Sequence, residues 1–232
     1  MKAKQSASTF RGHMVRLMAI VNLLLAASFG AAQAADEAPP VRIVAFGDSL
    51  TAGYLLPPND AFPAQLSKAL EAKGARVEIA NAGVSGDTTA AGLERFDWAI
   101  PDGTEAVIVE LGANDALRGI APDETRKNLD AILTRLKARN IDVLLAGMAA
   151  PKNWGKEYEA RFATIYGDLA AKHDVLLYPF FLEGVALDAK LNQQDGLHPT
   201  GAGIGVIVAN ILPKVEELID RVRARRAVSS KS

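Results

Sequence analysis

Three histidines are spread along the 232-residue chain, and their surroundings differ. His13 lies in a basic N-terminal segment. His173 closes a predicted helix beside Lys172 and Asp174, where a surface imidazole interacts favourably with a helix C-terminus. His198 sits in Asp195-Gly196-Leu197-His198-Pro199, a loop just before the last predicted helix. Elimination makes His198 the candidate general base. Asp195 precedes it by three residues in a turn that contains Gly196. Such a turn brings a carboxylate against one ring nitrogen, which fixes the tautomer and stabilises the imidazolium formed when the other nitrogen takes a proton. Taken alone, the segment also fits an Asp-Gly turn followed by a helix-capping histidine.

A base of this kind needs a nucleophile. Cysteine is absent, so there is no thiol nucleophile, thiolate metal ligand or disulfide framework. Ser49 stands in Gly47-Asp48-Ser49-Leu50, directly after a predicted strand. A serine hydroxyl is a weak nucleophile unless a base lies beside it. By itself Ser49 also fits an ordinary helix N-cap. Two more loops follow strands: Asn81 to Thr88, containing Gly86, and Gly112-Ala113-Asn114-Asp115. The backbone N–H groups of Ser49 and Gly86 and the side-chain amide of Asn114 are candidate oxyanion donors. Asp48 is expected to support the nucleophile loop. Asp115 and Arg118 are expected at a pocket edge, and Leu117, Ile120, Met148 and Trp154 against an acyl chain. Simple packing is the other reading of those apolar residues.

The elements that must position these groups alternate in type. Val41–Phe46, Val77–Ala80, Ala106–Leu111, Ile141–Ala146 and Val175–Tyr178 are short apolar runs and are predicted strands. Between them, Ala61–Lys73, Thr88–Phe96, Asp123–Arg139 and Glu157–Lys172 have helical spacing, and a last helix is predicted from Gly201 to about Arg223. Strands that are apolar throughout are covered on both faces. The pattern therefore predicts an α/β protein, a three-layer α/β/α sandwich around a parallel sheet. In such sheets ligands bind in loops at the carboxyl ends of strands, where all four segments fall.

Composition bounds the class. The chain is 49% hydrophobic and 23% charged, as expected of one globular domain. Residues 1–34 carry Lys2, Lys4, Arg11 and Arg16 and no acid, which leaves the rest of the chain mildly acidic. That balance argues against a nucleic-acid partner. Basic residues, the apolar run Leu17 to Ala27 and the small-residue site Ala32-Gln33-Ala34 have the order of a secretory signal peptide. The expected organisation is a signal peptide over 1–34, a short lead over 35–40, one α/β domain over 41–223 and a polar tail over 224–232. A cleaved signal implies a periplasmic or, alternatively, secreted protein without stable membrane insertion; a retained anchor is the other outcome. A monomer is expected.

Four blocks, Gly47-Asp48-Ser49-Leu50-Thr51, Gly86-Asp87-Thr88, Gly112-Ala113-Asn114-Asp115 and Asp195-Gly196-Leu197-His198-Pro199, resemble the signatures of the SGNH, or GDSL-type, hydrolase family. Ala52-Gly53-Tyr54, Val109-Glu110-Leu111-Gly112, Leu117-Arg118-Gly119 and Tyr178-Pro179-Phe180-Phe181 extend the likeness toward bacterial periplasmic arylesterases and thioesterases. The resemblance covers about Arg42 to the last helix. It implies a flavodoxin-like fold with a five-stranded parallel sheet and hydrolysis of aryl esters, thioesters, short- to medium-chain esters and sometimes lysophospholipids. It further implies Ser49, Gly86, Asn114 and His198 as the family's named positions, with no metal or organic cofactor. Ala113 departs from the pattern, which has glycine there. Competing expectations are a carbohydrate O-deacetylase, which the 6% aromatic content does not favour, a non-catalytic binding module, and metal-assisted hydrolysis through Asp48, Asp195 and His198.

Overall fold

Five strands form one sheet: β1 (Val41–Gly47), β2 (Val77–Gly83), β3 (Ala106–Glu110), β4 (Asp142–Ala146) and β5 (Leu176–Tyr178). They are described, with the rest of residues 39–230, by a computed structural model of the chain. The proposed signal peptide lies outside these residues. The strand order is β2-β1-β3-β4-β5 and every pairing is parallel. Central β3 is buried along its whole length, and β1 is buried at all positions but Arg42. Burying each of Val107, Ile108 and Val109 is worth about 1.5–3 kcal/mol. Edge strand β2 is exposed or half-buried at every position after Val77 and extends to Gly83, three residues beyond its apolar run.

The helices are α1 (Ser49–Ala52), α2 (Phe62–Ala72), α3 (Thr89–Glu94), α4 (Phe96–Ala99), α5 (Ala113–Leu117), α6 (Pro122–Ala138), α7 (Lys156–Ala163), α8 (Ile165–His173) and α9 (Gly201–Ser229). In α6, Pro122 opens the first turn, Asp123 and Glu124 follow it, and Arg135 and Lys137 lie in the last turn, all matching the helix dipole. Its Leu129, Ile132, Leu133 and Leu136 make one buried stripe. Helix α2 packs against α9, while α3 and α8 pack against α6. Phe62 meets Phe181 edge to face at 5.0 Å, and Phe46 meets Phe96 at 6.4 Å. No helix among the described residues is long and apolar enough to cross a membrane.

Three expectations need correction. The helix expected over Glu157–Lys172 is two helices, α7 and α8. Thr164 Oγ1 donates to the Arg161 carbonyl, a bond that competes with the helix ladder. The last helix runs to Ser229, past the end expected near Arg223, so 224–229 are helical, although most of these residues are exposed. Arg225 donates to Asp142 at 3.0 Å and Arg226 pairs with Glu105, which anchors the final turns to the amino ends of the central strands. His173 is buried, and its Nε2 lies 2.6 Å from Asp130 Oδ1, so it is a tie between α8 and α6 and not a surface residue.

Candidate active site

The strand order reverses between β1 and β3, which makes their carboxyl ends a topological switch point. The chain leaves β1 at Gly47 and turns at once into α1. A Cβ at Gly47 would lie 2.1 Å from Thr51 Oγ1 and 2.6 Å from the Glu110 carboxyl, so this turn requires glycine by close approach. Asp48 caps α1, accepting from Leu50 N at 3.0 Å through Oδ1. Ser49 is thereby the first helical residue, buried except for a small opening.

The loop before α9 reaches the same place. Asp195 Oδ1 accepts the backbone N–H groups of Leu197 at 2.9 Å and His198 at 3.0 Å. Those bonds, that of His198 first, hold the Asp195 carboxyl down at about 2. Its other oxygen lies 2.7 Å from His198 Nδ1. An ionised carboxylate there only accepts, so Nδ1 carries the proton and Nε2 is left as an acceptor. Nε2 lies 2.9 Å from Ser49 Oγ. Hydroxyl, imidazole and carboxylate thus form one hydrogen-bonded chain across 149 residues of sequence.

Asn114 enters from α5 after β3, and its Nδ2 donates to Asp48 Oδ2 at 3.0 Å. Burial pushes the Asp48 carboxyl up to about 6, against the bonds from Leu50 and Asn114. Behind it the Glu110 side chain is fully buried, and its Oε2 accepts from Thr51 Oγ1 at 2.7 Å. Burial, then the charge of Asp48, pushes Glu110 well above the usual carboxylate range. Gly86 lies in the loop after β2 at φ +88°, a left-handed conformation that favours glycine, and its carbonyl accepts from Arg118 Nη2 at 2.8 Å.

Of the expected pocket residues, Leu117 and Trp154 are exposed and Ile120 is half-buried. Trp154 Nε1 donates to the Ala116 carbonyl at 2.8 Å, so the loops after β3 and β4 are joined. Met148 is buried in the core. Asp115 is a correction of the same kind. It is fully buried, and its carboxylate accepts from Thr89 N at 2.8 Å, Thr89 Oγ1 at 2.5 Å and Thr125 Oγ1 at 3.2 Å. A carboxylate so engaged binds α3 and α6 to the site.

Residue types alone did not single out Tyr54 and Gln193. The Tyr54 ring packs on His198, centroids 4.5 Å apart with a 39° tilt. Gln193 N donates to the His198 carbonyl at 2.7 Å, and its Nε2 donates to the Tyr54 carbonyl at 2.8 Å. Together they brace the imidazole from two loops. Tyr54 stands in the Ala52-Gly53-Tyr54 stretch of the family likeness, but its role beside His198, like that of Gln193, depends on partners that only the fold brings near.

The switch point of a doubly wound, flavodoxin-like parallel sheet thus carries Ser49, His198 and Asp195 in hydrogen-bonding order. The sequence profile of the GDSL-like lipase/acylhydrolase family matches residues 45–205. Esterase TesA of Pseudomonas aeruginosa is 35% identical over 198 residues, which cover 85% of this chain and 98% of that protein. Thioesterase 1/protease 1/lysophospholipase L1 of Escherichia coli is 39% identical over 193 residues, covering 83% and 86% respectively. The crystal structure of AlinE4, an SGNH-hydrolase family esterase, superposes with a TM-score of 0.66 at 48% identity, covering 78% of this chain and 97% of that one. The chain belongs to the GDSL-like lipase/acylhydrolase family.

Proposed function

We propose that the protein is a serine hydrolase of acyl esters and thioesters that works through an acyl-enzyme on Ser49. The observation that carries this reading is the continuous chain from Ser49 Oγ through His198 to Asp195, with links of 2.9 and 2.7 Å. Names of relatives support the substrate class: one is called an esterase, another a thioesterase and lysophospholipase.

In the first step Ser49 Oγ attacks the acyl carbonyl carbon while His198 Nε2 takes the hydroxyl proton. Asp195 holds the resulting imidazolium in place and offsets its charge. The tetrahedral oxyanion is received by the N–H groups of Ser49 and Gly86 and by the Asn114 amide, each worth on the order of 100- to 1000-fold in turnover. As the carbon–oxygen or carbon–sulfur bond breaks, His198 returns its proton to the leaving group. Water then attacks the acyl-enzyme, His198 accepts its proton, and the acid leaves as the proton returns to Ser49. The basic, apolar, small-residue order of residues 1–34 supports export to the periplasm, a compartment apart from cytosolic acyl-thioesters.

The test is hydrolysis of p-nitrophenyl acetate and butyrate by the purified chain and by Ser49→Ala. The alanine variant should retain the fold and lose at least about 1000-fold in kcat. Full activity in that variant rejects the reading.

A further inference from the structure

Arg95 lies outside all four motifs, at the junction of α3 and α4. Its guanidinium carbon sits 4.4 Å from the centroid of Phe46, the residue before Gly47. Nη2 donates to the Gly47 carbonyl at 2.9 Å. Nε donates to Asp87 Oδ2 at 2.5 Å. The Gly47 carbonyl also accepts the Val84 N–H at 3.0 Å. The side chains of Arg95 and Asp87 are only 13% and 12% exposed. One guanidinium therefore grips the nucleophile turn two residues before Ser49 and the second loop one residue after Gly86.

We propose that Arg95 is a positioning residue for the oxyanion pocket, setting the spacing between the backbone N–H groups of Ser49 and Gly86. This rests on the reading of those groups as oxyanion donors. The planar fork of arginine serves two acceptors in fixed directions, while lysine offers a point charge on a flexible stem. A misplacement of about 1 Å in such a site costs on the order of 100-fold in rate. Oxyanion donors act on the transition state and not on the bound ester, so the loss falls on kcat and spares KM.

The experiment compares wild type, Arg95→Met, Arg95→Lys and Asp87→Asn with p-nitrophenyl butyrate. Active sites are counted with a fluorophosphonate, and thermal melts report folding. Affinity for a trifluoromethyl ketone, whose hemiketal oxyanion fills the pocket, is measured alongside. In Arg95→Met, kcat per labelled site should fall by about 10- to 100-fold, with KM within about twofold. Ketone affinity should fall by a similar factor. Arg95→Lys and Asp87→Asn should show the same split, less severely. A kcat per labelled site equal to wild type, or a rise in KM at unchanged kcat, overturns the proposal. Should Arg95→Met not fold, Arg95→Lys decides by the same readouts. An active Ser49→Ala brings down the underlying mechanism, whereas an inactive Ser49→Ala beside fully active Arg95 variants brings down this inference alone.

Discussion

Asn114 Nδ2 and Asp48 Oδ2 lie 3.0 Å apart, which joins a side-chain amide at the end of β3 to a buried carboxylate beside Ser49 at the end of β1. The carboxylate fixes the direction of an amide that otherwise rotates freely. Burial of Asp48 is the cost of that arrangement, since it raises the carboxyl to about 6.

Asp48→Asn should therefore be less active and, above pH 6, more stable. The substituted side chain has one acceptor oxygen, which serves Leu50 N or the Asn114 amide but not both, so kcat should fall about 10- to 100-fold. The folded state of the wild type holds the Asp48 proton between pH 4 and about 6, where the unfolded chain has lost it. Stability accordingly falls as pH rises through that window. The shift of about two pKa units corresponds to about 3 kcal/mol. After the loss of one hydrogen bond, a net gain of about 1–2 kcal/mol should remain. Thermal melts of both proteins at pH 8 and pH 4 check this; the advantage should vanish at pH 4.

Asp195 should not titrate within the working range. Its carboxyl is held at about 2, chiefly by the His198 and Leu197 N–H groups, so its share of stability is present above pH 4 and is lost as pH falls through about 2. In Asp195→Asn the side-chain oxygen still accepts both N–H groups, and the turn should persist. The amide presented to Nδ1 favours the wrong tautomer, and kcat should fall by about 10,000-fold with an unchanged circular dichroism spectrum. Rates and spectra of the purified variant measure both effects.

Asp115→Ala should act on stability and not on substrate binding. It leaves Thr89 N, Thr89 Oγ1 and Thr125 Oγ1 without their buried acceptor. Urea unfolding should show a loss of about 3 kcal/mol or more. KM per active site should stay within about twofold, which contrasts with the expectation that Asp115 edges the pocket.

Removing residues 224–232 should also destabilise without slowing the reaction. The deletion loses the contacts of Arg225 with Asp142 and of Arg226 with Glu105, all at the amino ends of the strands. A loss of about 1–2 kcal/mol is expected after allowance for solvent screening. Arg226 holds the Glu105 carboxyl below its ordinary value, so the contribution is present above the usual carboxylate range and lost as pH falls below it. The deficit in urea unfolding should shrink in acid, while kcat/KM at neutral pH stays near wild type.

The core strands were legible in the sequence because both their faces are covered. Val107, Ile108 and Val109 are apolar in succession, a pattern an exposed-face strand does not produce. The candidate site was legible as a set of positions because Ser49, Gly86, Asn114 and His198 each follow or precede an element end. What stayed hidden depends on distant partners. Arg225 and Arg226 look like a solvated tail until Asp142 and Glu105 stand opposite them. Asp115 looks like a companion of Asn114, yet consecutive helical residues point about 100° apart, and the two side chains diverge to Thr89 and Asp48. The break at Thr164 is masked by the apolar stripe of Phe162, Ile165, Tyr166 and Leu169, which runs across it.

The central claim is that a base-activated hydroxyl at Ser49 forms a covalent intermediate with the acyl group. Mass spectrometry after treatment with a fluorophosphonate tests it most directly. The account predicts a gain of one phosphonyl group per chain, located on Ser49 and absent in His198→Ala under the same exposure. A chain that hydrolyses esters yet stays unmodified, or carries the group on another residue, would contradict it.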